Sequence, residues 1–305
     1  MSQSHSFSDG RDDSAVRSDP VEPGGQGDGT GGELLGEAAQ EPLELKESPT
    51  FTKLEAHEMI VEKPVTTLFR TSRTTLLRGI GLRVAENGSS SIYQALAIGY
   101  VTSAAVGVTG PIGALSLVFA AALGAIVVPI AGKLSDHFGR VKTYRGFAIF
   151  QLIAAFPIWY VLSLGDTVLT IVVLSLGLGI GTWGMFGAQS AFMSELFGSR
   201  QRYLGVSVAR EISAVISGGL APLIGAWIIS SVVAANGGPD VAHAGLGAWL
   251  PIAGYLSLLT LITIVATFFT PETIGRDLDD TRDAVDNPAT VEAHRTAVYA
   301  SRVSA

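Results

Sequence analysis

Long apolar stretches alternate with short basic segments from about residue 76 to residue 269. Lysine and arginine are absent from three segments, 84–132, 146–199 and 211–275. A helix needs about 20 apolar residues to cross a bilayer, so each segment has room for two helices and a turn. The pattern predicts six spans, at roughly 83–106, 111–131, 146–164, 168–192, 208–233 and 246–269.

Basic residues lie between these segments: Arg70, Arg73 and Arg78, then Lys133, Arg140, Lys142 and Arg145, then Arg200, Arg202 and Arg210. The positive-inside rule places them in the cytoplasm, and an even number of spans then places both termini there. A soluble helical protein would need polar faces on most of its helices, which these stretches lack. We therefore expect an all-α membrane protein with six transmembrane helices in the lipid bilayer of the cell (inner or plasma) membrane.

The chain divides into four parts by composition. Residues 1–46 form an acidic, Gly-rich tail that is expected to be disordered, and their net charge of −7 equals that of the whole chain. The remainder is neutral, so nothing predicts a nucleic-acid partner. Residues 47–75 are predicted to be a cytoplasmic amphipathic linker, 76–269 the six-span domain, and 270–305 a cytoplasmic C-terminal tail.

Several kinds of chemistry find no support in the sequence. There is no cysteine, and the five histidines are scattered without metal-ligand spacing, so no metal site is predicted. No nucleotide-binding or protease motif occurs, so we expect neither a cofactor nor an enzymatic activity. Residues 179–184 match GxGxxG but lie in the middle of a span, where the glycines instead indicate close helix packing.

The loop 132–140 has the residues of a latch between the second and third spans. Asp136 can meet an arginine or a helix N-terminus, Arg140 can hold a carboxylate, and Gly132 and Gly139 permit a sharp turn. These four residues form a candidate cytoplasmic gating loop. A solvated loop that merely obeys the positive-inside rule is the alternative, and the sequence leaves both open.

Charged residues inside spans are candidates for function because burying a charge in a membrane is costly. Arg83 and Glu86 are three residues apart, share a helix face and can pair, with Asn87 beside them. They are buried if the first helix begins near Leu76 and interfacial if it begins at Asn87; the polar run after Glu86 favours burial. The other candidates for the substrate or proton path are Gln94, Tyr100, Trp183, Gln189, Arg210 and Glu211.

The last six of these candidates each have an alternative interpretation. Arg210 and Glu211 are expected at the membrane interface, because 212–231 can cross without them. The four uncharged candidates can equally form hydrogen bonds to a neighbouring helix. They are Gln94, Tyr100, Trp183 and Gln189.

The loop 132–140 resembles the G-x-L-[AS]-D-[RK]-x-G-R-[RK] loop of the major facilitator superfamily, with His137 and Val141 replacing two basic residues. Residues 81–88, the Ser194-Glu195-Leu196-Phe197 segment leading to Arg202, and 271–278 are similar to the C-terminal half of its metabolite:proton symporter branch. The resemblance covers about 47–280. It implies half of a twelve-span bundle, with two inverted three-helix repeats and the N-terminal half absent.

The resemblance also carries functional expectations. It implies uptake of a small organic acid, betaine or amino-acid-like zwitterionic metabolite with protons, with Glu86 as a proton carrier and Arg83 as an anion contact. One half has no opposing wall, so a second six-span half or a homodimer is an expected partner. The alternative is a truncated, non-transporting membrane remnant or a membrane-anchored interaction protein.

Overall fold

Helices and turns account for the regular structure of the described part of the chain. A computed structural model describes residues 64–103, 106–238 and 245–286, together with 296 and 300, all within a unit that spans Pro49–Ala305. The disordered tail predicted for 1–46 and most of the predicted linker lie outside these residues. The helices are α1 (Pro64–Thr71), α2 (Arg73–Ser91, continued by Ile92–Ala97 and Ile98–Thr102), α3 (Ile112–Phe138), α4 (Arg140–Ser163), α5 (Thr167–Leu196), α6 (Arg202–Ala235) and α7 (Trp249–Phe268).

Five of these helices, α3 to α7, are long and apolar enough to cross a membrane. Helix α2 is as long, but Arg83, Glu86, Asn87 and the serines after them make it less apolar. Five consecutive residues of α2, 82–86, are buried, so neighbouring helices cover it on every side there. A helix enclosed in this way can carry polar groups. That α2 is a sixth span stays a prediction.

The bounds of the first helix differ from the sequence prediction. We expected 83–106, whereas α2 begins at Arg73 and ends at Thr102. The alternative start near Leu76 is closer to the observed one. Residues 73–82 include Arg73 and Arg78, yet Leu76 and Leu82 on the same stretch are buried. Tertiary packing thus extends the helix by almost three turns beyond the apolar stretch.

Hydrogen bonds between the ends of the helices define what we call the basic end of the bundle, where α2, α4 and α6 begin and α3, α5 and α7 end. Two apolar clusters fill the interior. One contains Tyr100 and Trp159, whose ring centroids are 5.8 Å apart. The other lies nearer the basic end and contains Tyr144 and Phe192, with ring centroids 5.9 Å apart. Among the five apolar helices α5 is the most enclosed, since 56% of its most apolar stretch is buried against 22% in α3 and α6.

Glycines on α5 allow its neighbours to approach closely. A Cβ atom on Gly181 would lie 1.7 Å from Gln151 Oε1 of α4, and one on Gly184 would lie 2.3 Å from Phe147 Cδ1. At Gly187 the neighbour is backbone, because a Cβ would lie 2.5 Å from the Val128 carbonyl oxygen of α3. The glycines of the GxGxxG match therefore serve helix packing.

We expect Gly187→Ala to lower the free energy of unfolding by about 1–3 kcal/mol, because the backbone of α3 must move to make room. Gly146→Ala on α4 is the matched control, since nothing lies within 4 Å of its added Cβ. Helix propensity should make that control neutral or more stable by up to about 1 kcal/mol. Denaturant unfolding of the detergent-purified protein, followed by tryptophan fluorescence, measures both. Equal effects of the two substitutions would contradict this account of α5.

Candidate functional site

A buried ion pair lies at the centre of the candidate site on α2. Arg83 Nη2 is 3.1 Å from Glu86 Oε2, and both side chains are less than one-tenth exposed. Gln189 of α5 and Arg210 of α6 lie near enough to the Glu86 carboxylate to act on it electrostatically. Helices α2, α5 and α6 thus meet at Glu86.

Hydrogen bonds from α4 and α7 fix the backbone of α2 beside this pair. Tyr144 Oη donates to the Leu82 carbonyl oxygen at 2.7 Å. Thr263 Oγ1 of α7 donates to the Gly81 carbonyl oxygen at 2.8 Å and accepts from the Ala85 amide at 2.9 Å. These contacts hold the ion pair at a set position inside the bundle.

A polar stripe continues along α2 from the ion pair. Asn87 Nδ2 donates to Ser213 Oγ of α6 at 2.7 Å, and Gln94 Nε2 donates to Ser90 Oγ at 2.5 Å. Asn87, Ser90, Ser91 and Gln94 recur every three or four residues, so they share one face of the helix. That face is half-buried at Asn87 and exposed at Gln94. The stripe therefore runs from an exposed position toward the neighbourhood of Glu86.

Three of the predicted site residues lie elsewhere. The Tyr100 ring packs against Trp159 in an apolar cluster, and Trp183 lies over Gly124, where an added Cβ would be 1.6 Å from Trp183 Cε3. Glu211 is 75% exposed, with Oε1 3.9 Å from Arg210 Nε. The structure thus brings together Arg83, Glu86, Asn87 and Gln189, with Arg210 near them.

The sequence prediction did not include two buried polar pairs in the same region. Gln151 Nε2 of α4 donates to Tyr93 Oη at 2.9 Å, and the hydroxyls of Ser89 and Thr182 are 2.9 Å apart. Gln151 Oε1 has no hydrogen-bond partner among the described residues. A glutamine in the middle of an apolar stretch was the available signal; nothing local distinguished Ser89 or Thr182 from other small polar residues.

The predicted gating loop joins a charge network at the basic end. Arg140 Nη2 lies 2.8 Å from Glu195 Oε1 at the end of α5, and Arg140 Nε donates to both Glu195 oxygens at 3.2 and 3.1 Å. Arg140 also pairs with Asp136, which is one turn earlier in the chain. Thr273 Oγ1 donates to Glu195 Oε2 at 2.8 Å. The network therefore connects α3, α4, α5 and the segment after α7.

Glu272 caps the beginning of α4. Its carboxylate accepts from the Arg140 amide at 2.6 Å and from the Val141 amide at 3.2 Å, two groups that an uncapped helix leaves unpaired. Gly139 has φ +108°, and a Cβ there would lie 2.5 Å from Glu272 Oε2. Glycine at 139 is thus required by both the turn and the cap. The prediction that Gly132 permits a turn is wrong, because α3 continues to Phe138 and only Gly139 lies in the turn. Gly132 lies on the α3 face toward α5, where its nearest neighbour is the Gly187 carbonyl oxygen, 3.9 Å from an added Cβ.

The C-terminal segment, residues 271–286, packs across the end of α5. Arg276 donates to the Glu195 and Leu196 carbonyl oxygens, and the Ala284 amide donates to Leu196 at 3.1 Å. Asp283 Oδ1 accepts from the Gly198 amide at 2.9 Å. Burial lowers the pKa of the Arg276 guanidinium, while nearby aspartates act in the opposite direction. The first part of the predicted tail, 270–305, is therefore integrated into the basic end.

No group of three or more His, Asp or Glu side chains is placed to hold a metal ion within 64–103, 106–238 and 245–286. The site chemistry in this part of the chain consists of ion pairs, amides and hydroxyls.

The comparison with known families decides what kind of protein carries this site. The model of the family described as "Sugar (and other) transporter" matches residues 35–284, which is well over half of the chain. The chain belongs to this family of the major facilitator superfamily. The resemblance expected from the sequence is confirmed. Because this family member has several apolar helices, it is a multi-pass membrane protein.

Two relatives of this family member come from Escherichia coli (strain K12). It is 29% identical to the inner membrane metabolite transport protein YhjE over 241 residues, which is 77% of the chain and 51% of the relative. It is 26% identical to the shikimate transporter over 189 residues, which is 61% of the chain and 43% of the relative. The chain thus spans about half the length of the curated relatives it matches. No solved structure matches it.

Proposed function

We propose that the chain acts as one six-helix half of a secondary transporter that takes up a small carboxylate or zwitterion together with protons. The buried Arg83–Glu86 pair next to the accessible polar stripe of α2 carries this proposal. An ionisable pair inside a membrane bundle is typical of substrate and proton paths. Glu86 would carry the proton, and Arg83 would bind the substrate carboxylate when Glu86 is protonated.

A groove continues along α2 beyond the polar stripe, away from Glu86. Helices α2 and α6 border this open groove of about 1000 Å³, which is lined by residues such as Leu96, Tyr100, Pro222 and Ile229 and by none of the residues around Glu86. Secondary transporters bind substrate between two such bundles that rock against each other. Because the chain covers about half of its relatives, we propose that a second six-helix half, or a second copy of this chain, closes the groove.

The charge network at the basic end supports a gating role for Asp136, Gly139 and Arg140, and Gly132 belongs to this proposal through the contact of α3 with α5. It ties the ends of α3, α4 and α5 to one another, so that they would move as a rigid body. We propose that the basic end faces the cytoplasm of the plasma membrane, following the positive-inside rule. Rigid-body movement of such a unit is how alternating access operates in this kind of bundle.

Uptake measurements test the proposal in two arms, the chain expressed alone and the chain co-expressed with the N-terminal half of YhjE. Labelled shikimate represents the carboxylates and labelled glycine betaine the zwitterions. We expect accumulation that depends on an inward proton gradient and disappears with a protonophore. Accumulation by the chain alone would identify a homodimer, whereas accumulation only on co-expression would identify the need for a second half.

Absence of uptake in both arms, with the protein present in the membrane, would contradict the transporter proposal. The non-transporting remnant or membrane-anchored interaction protein would then account for the chain.

A chain with Gln94 replaced by alanine should bind substrate more weakly and raise KM, provided that the polar stripe contacts the substrate. An unchanged KM would place the substrate elsewhere.

A further inference from the structure

Helix α1 has one apolar flank that is half-exposed among the residues that the structure describes. Leu68 faces the bundle and is fully buried among Leu76, Leu196 and Phe197. Val65 and Phe69 are four residues apart and share a second flank, where they are 52% and 49% exposed. An eight-residue helix outside the apolar spans thus presents two large apolar side chains away from the protein.

The opposite flank of α1 is polar. Thr67 and Thr71 are four residues apart and border a pocket of about 220 Å³ that Arg200, Gln201 and Asp286 also line. Around the axis of α1 the order is therefore apolar flank, protein face and polar flank. A helix that lies in the plane of a membrane surface has this arrangement, with lipid on one flank and water on the other.

Helix α1 lies at the basic end of the bundle, beside the first turns of α2 and α6. Only Ser72 separates α1 from α2, and Ser72 Oγ donates to Gln201 Oε1 at 3.1 Å, in the turn before α6. Tyr203, in the first turn of α6, is 87% exposed. Exposed aromatic rings are frequent at the headgroup level of membrane proteins.

Two exposed arginines accompany the apolar flank. Arg70 lies in the last turn of α1 and Arg73 in the first turn of α2. Guanidinium groups next to apolar side chains match a surface of phosphate groups over acyl chains. A stable protein interface buries about 800 Å² per partner, far more than two half-exposed side chains can supply. A bilayer needs no such area on α1 alone, because it surrounds the whole bundle.

We propose that α1 is an interfacial helix that binds anionic phospholipid, with Val65 and Phe69 inserted at the boundary of headgroups and acyl chains and Arg70 and Arg73 on lipid phosphates. This goes beyond the proposed function and does not depend on transport. Its consequence is that anionic lipid anchors the segment that leads into α2, the helix that carries Arg83 and Glu86.

Single cysteines test the insertion directly, since the chain has none of its own. Phe69→Cys and, on the opposite flank, Thr71→Cys are labelled with the fluorophore NBD, and the full chain is placed in nanodiscs that contain lipids with brominated acyl chains. We expect strong quenching and a blue-shifted emission at position 69 and little of either at position 71. Equal quenching at the two positions overturns the proposal, as does a label at 69 that is shielded from lipid by another protein segment.

The choice of lipid tests whether Arg70 and Arg73 select anionic phospholipid. In equal mixtures of phosphatidylglycerol and phosphatidylcholine, brominating one lipid at a time reports which lipid surrounds the label at 69. We expect phosphatidylglycerol to be enriched and Arg70→Gln/Arg73→Gln to reduce that enrichment by at least about fivefold. Lys133→Gln/Lys142→Gln removes the same charge from exposed positions on α3 and α4 and should leave the enrichment unchanged. If both double variants lose it equally, net charge is responsible and the assignment to α1 fails.

Discussion

Replacing Arg140 with methionine is expected to lower the free energy of unfolding by about 3–5 kcal/mol. Its guanidinium pairs with Glu195 at 2.8 Å, and each side chain is only 10% exposed. Without Arg140, the Glu195 carboxylate keeps the Thr273 hydroxyl but has lost its cation. A buried charge without a partner destabilises a fold far more than the pair stabilises it. Denaturant unfolding of the purified protein, followed by tryptophan fluorescence, measures the loss.

The double variant Arg140→Met/Glu195→Met separates charge from packing. Replacing both partners with apolar side chains leaves no isolated charge, so most of the lost stability should return. Lys142→Met serves as the control because Lys142 is exposed in the same turn of α4, and it should change stability by less than about 1 kcal/mol. If the double variant is as unstable as Arg140→Met, the cost arises from side-chain packing and the charge argument is wrong.

Glu86→Gln is expected to have the largest effect within the bundle. It leaves the buried Arg83 guanidinium without its carboxylate, which should lower stability by about 3–5 kcal/mol. Arg83→Gln/Glu86→Gln removes both charges and should restore most of that stability. Glu211→Gln, at an exposed position, should stay within about 1 kcal/mol of the original.

Glu86→Gln also isolates the proposed proton step, because it lacks the carboxyl but keeps Arg83, the proposed contact of the substrate carboxylate. In whichever uptake arm is active, it should exchange labelled for unlabelled substrate across the membrane yet fail to accumulate substrate on a proton gradient. Counterflow and gradient-driven uptake, measured on the same preparation, distinguish these abilities, and counterflow also shows that the variant is folded. Accumulation by Glu86→Gln against a substrate gradient would show that Glu86 is not the proton carrier.

Local features of this chain were predictable from the sequence. The segments free of lysine and arginine located the hairpins, because membrane helices exclude charge and the turns at one end concentrate it. The Arg83–Glu86 contact follows from helix geometry alone, since residues three apart share a face. The close packing at Gly187 is likewise a consequence of small side chains within a span.

Contacts between distant residues were not predictable in the same way. Glu195 and Thr273 are far from Arg140 in sequence, and no periodicity indicates which carboxylate a given arginine meets. Glu272 and Arg276 were assigned to a tail because the segment after α7 is polar and carries many charges. The burial of Arg83 depended on four neighbouring helices, so the sequence alone left its depth open.

The cap that Glu272 places on α4 changes where the membrane domain can be considered to end. A reporter protein or affinity tag joined directly after Phe268 would remove Glu272, Thr273 and Arg276 together. The first amides of α4 and the last carbonyls of α5 would then lose their partners. Topology reporters should therefore be joined after residue 286, so that the fluorescence or enzyme signal reports orientation and not a loosened bundle.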